Sequence, residues 1–475
     1  MTRVMCVTAI IAIALNLGGC ATLDQEQSAQ EVLSTEAQAL DAPASWVFGE
    51  QTDGQIAKDW ASVLVDPLLA SLIDEALKRN PSLRSSAQSV ARAQALFNQA
   101  RSNLLPALGA SLSPSVNGTL EGSGMSDSYS AGLSASWEAD IWGGIRAGVL
   151  ASDYDLIGTR ASFEIARQAL IASVARVYIL AIEADLQIAL TQQTLTAQEE
   201  TLRIVKVRYD LGAASRREWV LAESDVAEAR DNLVVMKSAK TDAVLALQIL
   251  LGAYPDGKQG VAQEFPKVAD SVAAGAPAEL LRRRPDVISA EFGVLSAFYV
   301  TRATKTEKWP SLSLSGSLDS RSGNLSDLLD PAAIAYSLGL RLADTLFDGG
   351  LSQARIDAAS ANQEQALANY GQALLDAYAD VESSLNTVEI LKERSKYIRQ
   401  SADAARETLA LAEIQYKQGA IDLLDVLTFR QRSFQVDRTQ ITLRRQSIEA
   451  RIALYLALGG AGVDAETIHY ATQIE

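Results

Sequence analysis

The chain of 475 residues has a formal net charge of -16 and one histidine, His469. That acidic balance excludes the basic footprint of a nucleic-acid binder, and a lone histidine leaves no partner for a shared metal or a proton-transfer pair. No glycine-rich phosphate loop, nucleophile elbow, H-E-x-x-H motif or paired cysteines occur, so an enzyme is not expected.

The N-terminus reads "MTRVMCVTAIIAIALNLGGCATLDQ", with Arg3 ahead of an apolar stretch from Val4 to Leu17. This run is shorter than the roughly 20 residues a bilayer-spanning helix requires, so it reads as a secretory signal. Leu17, Gly18, Gly19 and Cys20 resemble a bacterial lipobox, which predicts cleavage before Cys20 and a covalent lipid on its sulfur, with no other cofactor. Loss of residues 1–19 removes Arg3 and takes the charge from -16 to -17, leaving one cysteine and no intrachain disulfide. Ala21 is not the aspartate associated with inner-membrane retention, so by that resemblance the anchor belongs in the outer membrane. Residues 21–45, rich in Gln, Ala, Ser and Glu, read as an extended tether.

Beyond the tether the chain is one pattern written twice. "YDLGAASRREWV" from Tyr209 recurs as "YKQGAIDLLDVL" from Tyr416, an offset of 207 that also pairs Leu251-Gly252 with Leu458-Gly459. Gly143-Gly144 matches Gly349-Gly350, and Pro106 matches Pro310, at nearly the same spacing. A repeat of about 200 residues is too long for a solenoid unit and points to a two-copy architecture.

Each copy changes hydrophobic period. Alternation over Ala107 to Val116 and Tyr129 to Trp137, and again through Leu312 to Leu318 and Ile334 to Leu342, predicts four strands with one apolar face. The same alternation also fits a soluble sandwich. Strands of about ten residues are long enough, when tilted, for the roughly 25 Å apolar band of an outer-membrane barrel, yet four strands cannot close one. After each Gly-Gly pair, apolar residues step by three and four through seven heptads, predicting a helix of about 100 Å from about Ile145 to Tyr209, and its repeat. Gly212 and Gly419 then end each long helix, and second helices return near Glu218 to Leu251 and Asp425 to Leu458. The Tyr-x-x-Gly-Ala turn is therefore the far tip of a rod.

Four stretches resemble the TolC-like outer-membrane factors, and in particular the lipidated OprM/NodT branch: "DWASVLVDPLLASLIDEALKRNPSLRSS" from Asp59, "LLRRRPDVISAE" from Leu280, "TLFDGGLSQA" from Thr345 and "LYLALGG" from Leu454. The resemblance implies a mixed α and β membrane protein: a homotrimer whose twelve-stranded transmembrane β-barrel, four strands per chain, continues into an antiparallel α-helical coiled-coil barrel. It also implies a passive exit duct in the outer membrane, serving an inner-membrane pump, usually of the resistance-nodulation-division type, through a periplasmic adaptor. A type I protein secretion duct is the alternative within that class, and a coiled-coil envelope lipoprotein the alternative outside it. The corresponding division is a signal at 1–19, anchor and tether at 20–58, repeats at 59–260 and 261–460, and a tail at 461–475.

By the same resemblance, the channel constriction falls at Asp425, with Thr428 where a second aspartate is expected. An N-terminal helix charge at Asp425 with Asp422 as cap fits those positions equally. The adaptor is expected to meet the tips at Tyr209, Gly212, Ala213, Tyr416, Gly419 and Ala420. Tyr209 and Tyr416 either bond between coils or fill the last heptad layer. The run Arg282 to Arg284 reads as an exposed adaptor or subunit contact or as a solvated face.

Overall fold

A computed structural model describes residues 28–41, 43, 45–48, 64–118, 125–267, 277 and 283–460. Cys20 and the tail at 461–475 lie outside the described residues. The chain divides into two compact units, residues 1–41 and 42–475.

The first unit contains helix α1, Ala29–Ala39. The extended tether expected over 21–45 is thus corrected at these residues. Ser28 accepts from the Glu31 N–H while Glu31 accepts from the Ser28 N–H, a capping box that offsets the entropic cost of starting a short helix.

The second unit is built as two like halves. In the first, α2 (Pro67–Arg79) and α3 (Pro81–Ser102) lead into strands β1 (Ala107–Gly118) and β2 (Met125–Ala139), then α4 (Gly144–Asp210) and α5 (Arg216–Leu250). The second half runs α6 (Pro285–Thr306), β3 (Ser311–Ser322), β4 (Ile334–Ala343), α7 (Leu351–Lys417) and α8 (Leu423–Ala457). Helices α4 and α7 have 67 residues each, and α5 and α8 have 35 each. Their boundaries match residue for residue at the 207 offset. At about 1.5 Å per residue the long helices run about 100 Å, as the heptads predict.

Both rod tips close with the same backbone device. The Ala213 N–H donates to the Arg208 carbonyl (2.7 Å) and the Gly212 N–H to that of Tyr209 (2.9 Å); Ala420 and Gly419 repeat this on Gln415 and Tyr416. This 6→1 and 5→2 pair needs a left-handed residue, and Gly212 (φ 73°) and Gly419 (φ 76°) supply it without a Cβ clash. The tyrosine is therefore spaced from the glycine by the hydrogen-bond count of the motif. Ser215 and Asp422 then cap α5 and α8, each starting two residues before the expected position.

The core is concentrated where α4 is wrapped from several sides. Val174, Ala175, Tyr178, Ile179 and Ile182 are fully buried with Leu69 and Leu72 of α2, Leu247 of α5 and Ile452 of α8. Arg176 and Leu180 keep a narrow exposed stripe, so the segment is the amphipathic wall its charges predict. Asp66 pins α2 here: one carboxylate oxygen accepts from the Leu68 and Leu69 N–H groups, the other from the Tyr178 hydroxyl at 2.7 Å. Helix α7, by contrast, is packed chiefly by α6 and α8. Among the described residues no helix is long and apolar enough to cross a membrane.

Candidate channel wall and tip

The four strands form one antiparallel sheet in the order β1-β2-β3-β4, so among the described residues β1 and β4 are unpaired edges. Register decides what each face carries. Leu133 pairs with Leu318, and Leu318 with Tyr336; Trp137 pairs with Leu314, and Leu314 with Leu340. With Leu108 and Leu112 of β1 this makes one continuous apolar face, on which Leu108 and Leu338 are each 82% exposed. The opposite face is paved with serine: Ser134 pairs with Ser317 and Ser317 with Ser337, whose hydroxyls meet at 2.9 Å. A sheet greasy outside and hydroxylated inside is what a lipid-facing wall around water requires.

At the helical end of the sheet, indoles mark a boundary. Trp142 Nε1 donates to the Pro310 carbonyl (2.8 Å) while its ring lies 5.2 Å from Trp309, and Trp137 Nε1 donates to the Leu104 carbonyl (3.0 Å). Rings with one apolar body and one satisfied N–H belong at a membrane–water interface. Just beyond, Asp140 and Asp348 cap the starts of α4 and α7. Asp348 accepts from the Gly350 and Ser352 N–H groups (2.9 and 2.7 Å), and Ser352 and the backbone hold its carboxyl down at about 2.

At the tips the two hairpins are tied together. Arg208 Nη1 donates to the Tyr416 hydroxyl at 2.8 Å, and its guanidinium sits 4.8 Å from that ring. One turn further up, Arg430 donates to Thr201 Oγ1 (2.7 Å) and to Glu413 (2.7 Å), spanning from α8 to α4 and α7. Val205, Leu423 and Leu427 pack beneath, with Trp219 and Tyr416 against them. Tyr416 thus both bonds between coils and fills the last layer. Tyr209 instead packs against Trp219, the ring centroids 5.1 Å apart and the planes tilted by 32°. Gly212, Ala213, Gly419 and Ala420 are all exposed at the turns.

Asp425 and Thr428 lie one turn apart on an exposed stretch of α8 beside Leu424, and Thr428 donates to the Leu424 carbonyl at 2.8 Å. Asp422 accepts from the Asp425 N–H at 3.1 Å, so the capping arrangement exists and leaves the Asp425 carboxylate exposed. A cleft of about 250 Å³ runs from Thr428 to Thr191, past Asp225, Glu228 and Arg430. Burial, then Glu228, push the Asp225 carboxyl up against the opposing pull of Arg430.

The reading of the arginine run is corrected at Arg284; Arg282 lies outside the described residues. Arg284 is neither solvated nor at a surface: it is 7% exposed and donates to Asp286, Asp380 and the Ala377 and Ala457 carbonyls. Arg208, Arg430 and Thr201 escaped sequence reasoning. For the two arginines the signal was a departure from the repeat, since Gln415 and Glu223 stand where Arg208 and Arg430 do in the other copy, whereas Thr201 is repeated as Thr408 and gave none.

A membrane-fit sheet continued by two coiled-coil hairpins defines a TolC-type outer-membrane channel. The family model for the outer membrane efflux protein matches twice, over residues 72–253 and 276–460, and the chain belongs to that family. It is similar to the pyoverdine export outer membrane protein OpmQ of Pseudomonas aeruginosa, 31% identical over 442 residues, covering 89% of this chain and 91% of the relative. It is similar also to outer membrane protein OprJ of the same organism, 30% identical over 461 residues and 95% of each chain. The solved open state of the Neisseria gonorrhoeae MtrE outer membrane channel superposes with a TM-score of 0.81 at 27% identity, over 89% of this chain and 96% of that one. The protein is an efflux channel of the outer membrane. The tethering-lipoprotein alternative is thereby set aside.

Proposed function

We propose that three copies close a single twelve-stranded barrel and that this duct exports cargo delivered by an inner-membrane pump, of resistance-nodulation-division type, through a periplasmic adaptor. The observation that carries it is the sheet with two bare edges and a lipid-fit face. Unpaired strand edges are not tolerated in hydrocarbon, so β1 of one copy must meet β4 of another. Two copies make only eight strands, a barrel whose interior side chains fill; three leave an open lumen. Strands of 12 residues rise about 40 Å, or about 28 Å when tilted near 45°, which suits the apolar band.

In this reading a diacylglycerol on Cys20 anchors each chain, Asp425 with Thr428 lines the periplasmic constriction, and the adaptor engages the exposed turns at Tyr209, Gly212, Ala213, Tyr416, Gly419 and Ala420. Native mass measurement in detergent combined with single-channel recording tests it: a trimer with ohmic conductance is expected, and a water-soluble monomer overturns the shared barrel. Exchanging residues 212–215 for an unrelated turn abolishes efflux but not trimer assembly; unchanged efflux removes the tips as docking sites.

A further inference from the structure

Within the chain, the two hairpins meet along one seam, α4 against α8. Glu183 accepts from Thr442 (2.6 Å) and from Arg445; Gln187 Nε2 donates to the Arg438 carbonyl (3.1 Å); Arg430 reaches Thr201; and at the tip Arg208 reaches Tyr416 at the end of α7. Because α4 is matched by α7, and α8 by α5, at the 207 offset, each α4–α8 contact has a counterpart joining α7 to α5. Those counterparts are Ile390 with Val235, Arg394 with Asp231 and Thr408 with Glu223, while the Arg208–Tyr416 tie, which joins α4 to α7, maps to Gln415 of α7 with Tyr209 of α4. No substantial contact joins α5 to α7 within the chain.

The side chains at these positions complement one another. Ile390 is 48% and Val235 49% exposed, although each falls where the other's apolar surface is needed. Arg394 and Asp231 are exposed and of opposite sign, and neither has an ion-pair partner among the described residues. A single exposed valine or isoleucine is ordinary on a helix. Here the in-chain polar pair Glu183 and Thr442 is replaced by Ile390 and Val235, apolar on both sides, while Arg445 gives way to Ser238, and the neutral Gln187 position has become a cation facing an anion. Compensating change on two separate helices is what a common interface imposes.

We propose that α7 of one copy docks antiparallel on α5 of the next, with Ile390 against Val235 of that copy and Arg394 paired to its Asp231. The inference rests on the reading that copies share one barrel, and it supplies the residues of the seam between them. It also makes the six seams of a trimer unequal at the tip: the three inside chains carry the Arg208 and Arg430 ties, and the three between chains carry Gln415 with Tyr209 and Thr408 with Glu223.

The test uses the full-length protein in detergent carrying Arg394→Cys together with Asp231→Cys. The Gln187 side chain touches the Arg438 backbone in the equivalent seam, so the paired positions are neighbours across it, and a short bis-maleimide joins the two cysteines where their Cα separation exceeds the roughly 7 Å reach of a disulfide. Mild oxidation is expected to give covalent dimers and trimers that dithiothreitol reverses, with neither single variant doing so. A sample that is trimeric by native mass yet forms no cross-link overturns the pairing and leaves the shared barrel standing; a sample that is monomeric overturns both. In a second arm, Arg394→Asp lowers the SDS-resistant trimer population about two- to five-fold, the scale of one exposed ion pair, and adding Asp231→Arg restores it. Absence of that rescue overturns the ion pair.

Discussion

Asn80 and Arg284 stand at equivalent positions of the two repeats, and each donates to a carbonyl in the last turn of its own repeat's returning helix. Asn80 Nδ2 reaches the Leu250 oxygen at 2.9 Å, and Arg284 Nη1 reaches that of Ala457 at 3.2 Å. Both also sit at the N-terminus of the helix leading to the strands, so one residue locks a helix start to a helix end in each half. The arginine copy does more, because its fork also holds Asp286 and Asp380. Burial alone pushes the Asp286 carboxyl up, but Arg284 outweighs it and the net shift is downward.

Removing Arg284 therefore leaves two buried carbonyls unpaired, while Asp286 and Asp380, 38% and 57% exposed, turn to water. Arg284→Met is expected to cost about 2–3 kcal/mol, against about 1 kcal/mol for Asn80→Ala, which loses a cap and one bond. Denaturant unfolding in detergent, followed by far-ultraviolet circular dichroism, measures the difference; equal losses contradict the inequality.

The tip tie between Arg208 and Tyr416 is a second target. Tyr416→Phe removes the hydroxyl acceptor and keeps the ring, at about 0.5–1.5 kcal/mol per seam, whereas Arg208→Ala loses the ring contact as well. Single-channel open probability should rise in both, more for Arg208→Ala. An unchanged record for both variants shows that the tie does not restrain the tip.

In the proposed trimer, three Asp425 carboxylates ring one axis and concentrate negative potential. Asp425→Ala is expected to weaken block by added divalent cations while changing monovalent conductance little, and Thr428→Asp to strengthen block. Planar-bilayer titration reads both, and undiminished block in Asp425→Ala removes this residue from the constriction.

The depressed Asp348 carboxyl has a pH signature. Its folded value, about 2, lies below the usual 3.8, so its contribution is complete above about pH 4 and is lost as pH falls toward 2. Asp348→Asn should flatten the acid limb of thermal stability in that window and leave the neutral limb parallel to the parent. An acid limb of unaltered slope shows that the cap does not couple to unfolding.

The sequence by itself determined the elements and their lengths. Alternation through Leu108 to Val116 and Ile334 to Leu342 marks strands because side-chain direction repeats every two residues, and steps of three and four from Leu367 to Tyr416 mark a coiled coil for the same local reason. Tyr-x-x-Gly-Ala marks a tip because the bonds that close it span only five residues. Three adjacent arginines carry no local sign of which is buried, and only the fold turns Arg284 toward Asp380 and the end of α8. Likewise Arg208 lies 208 residues from Tyr416, and their meeting depends on where the second hairpin, α7 with α8, lies against α4. Periodicity is a short-range property that a stretch of sequence carries alone; the choice of partner is a long-range one, settled when the two halves pack.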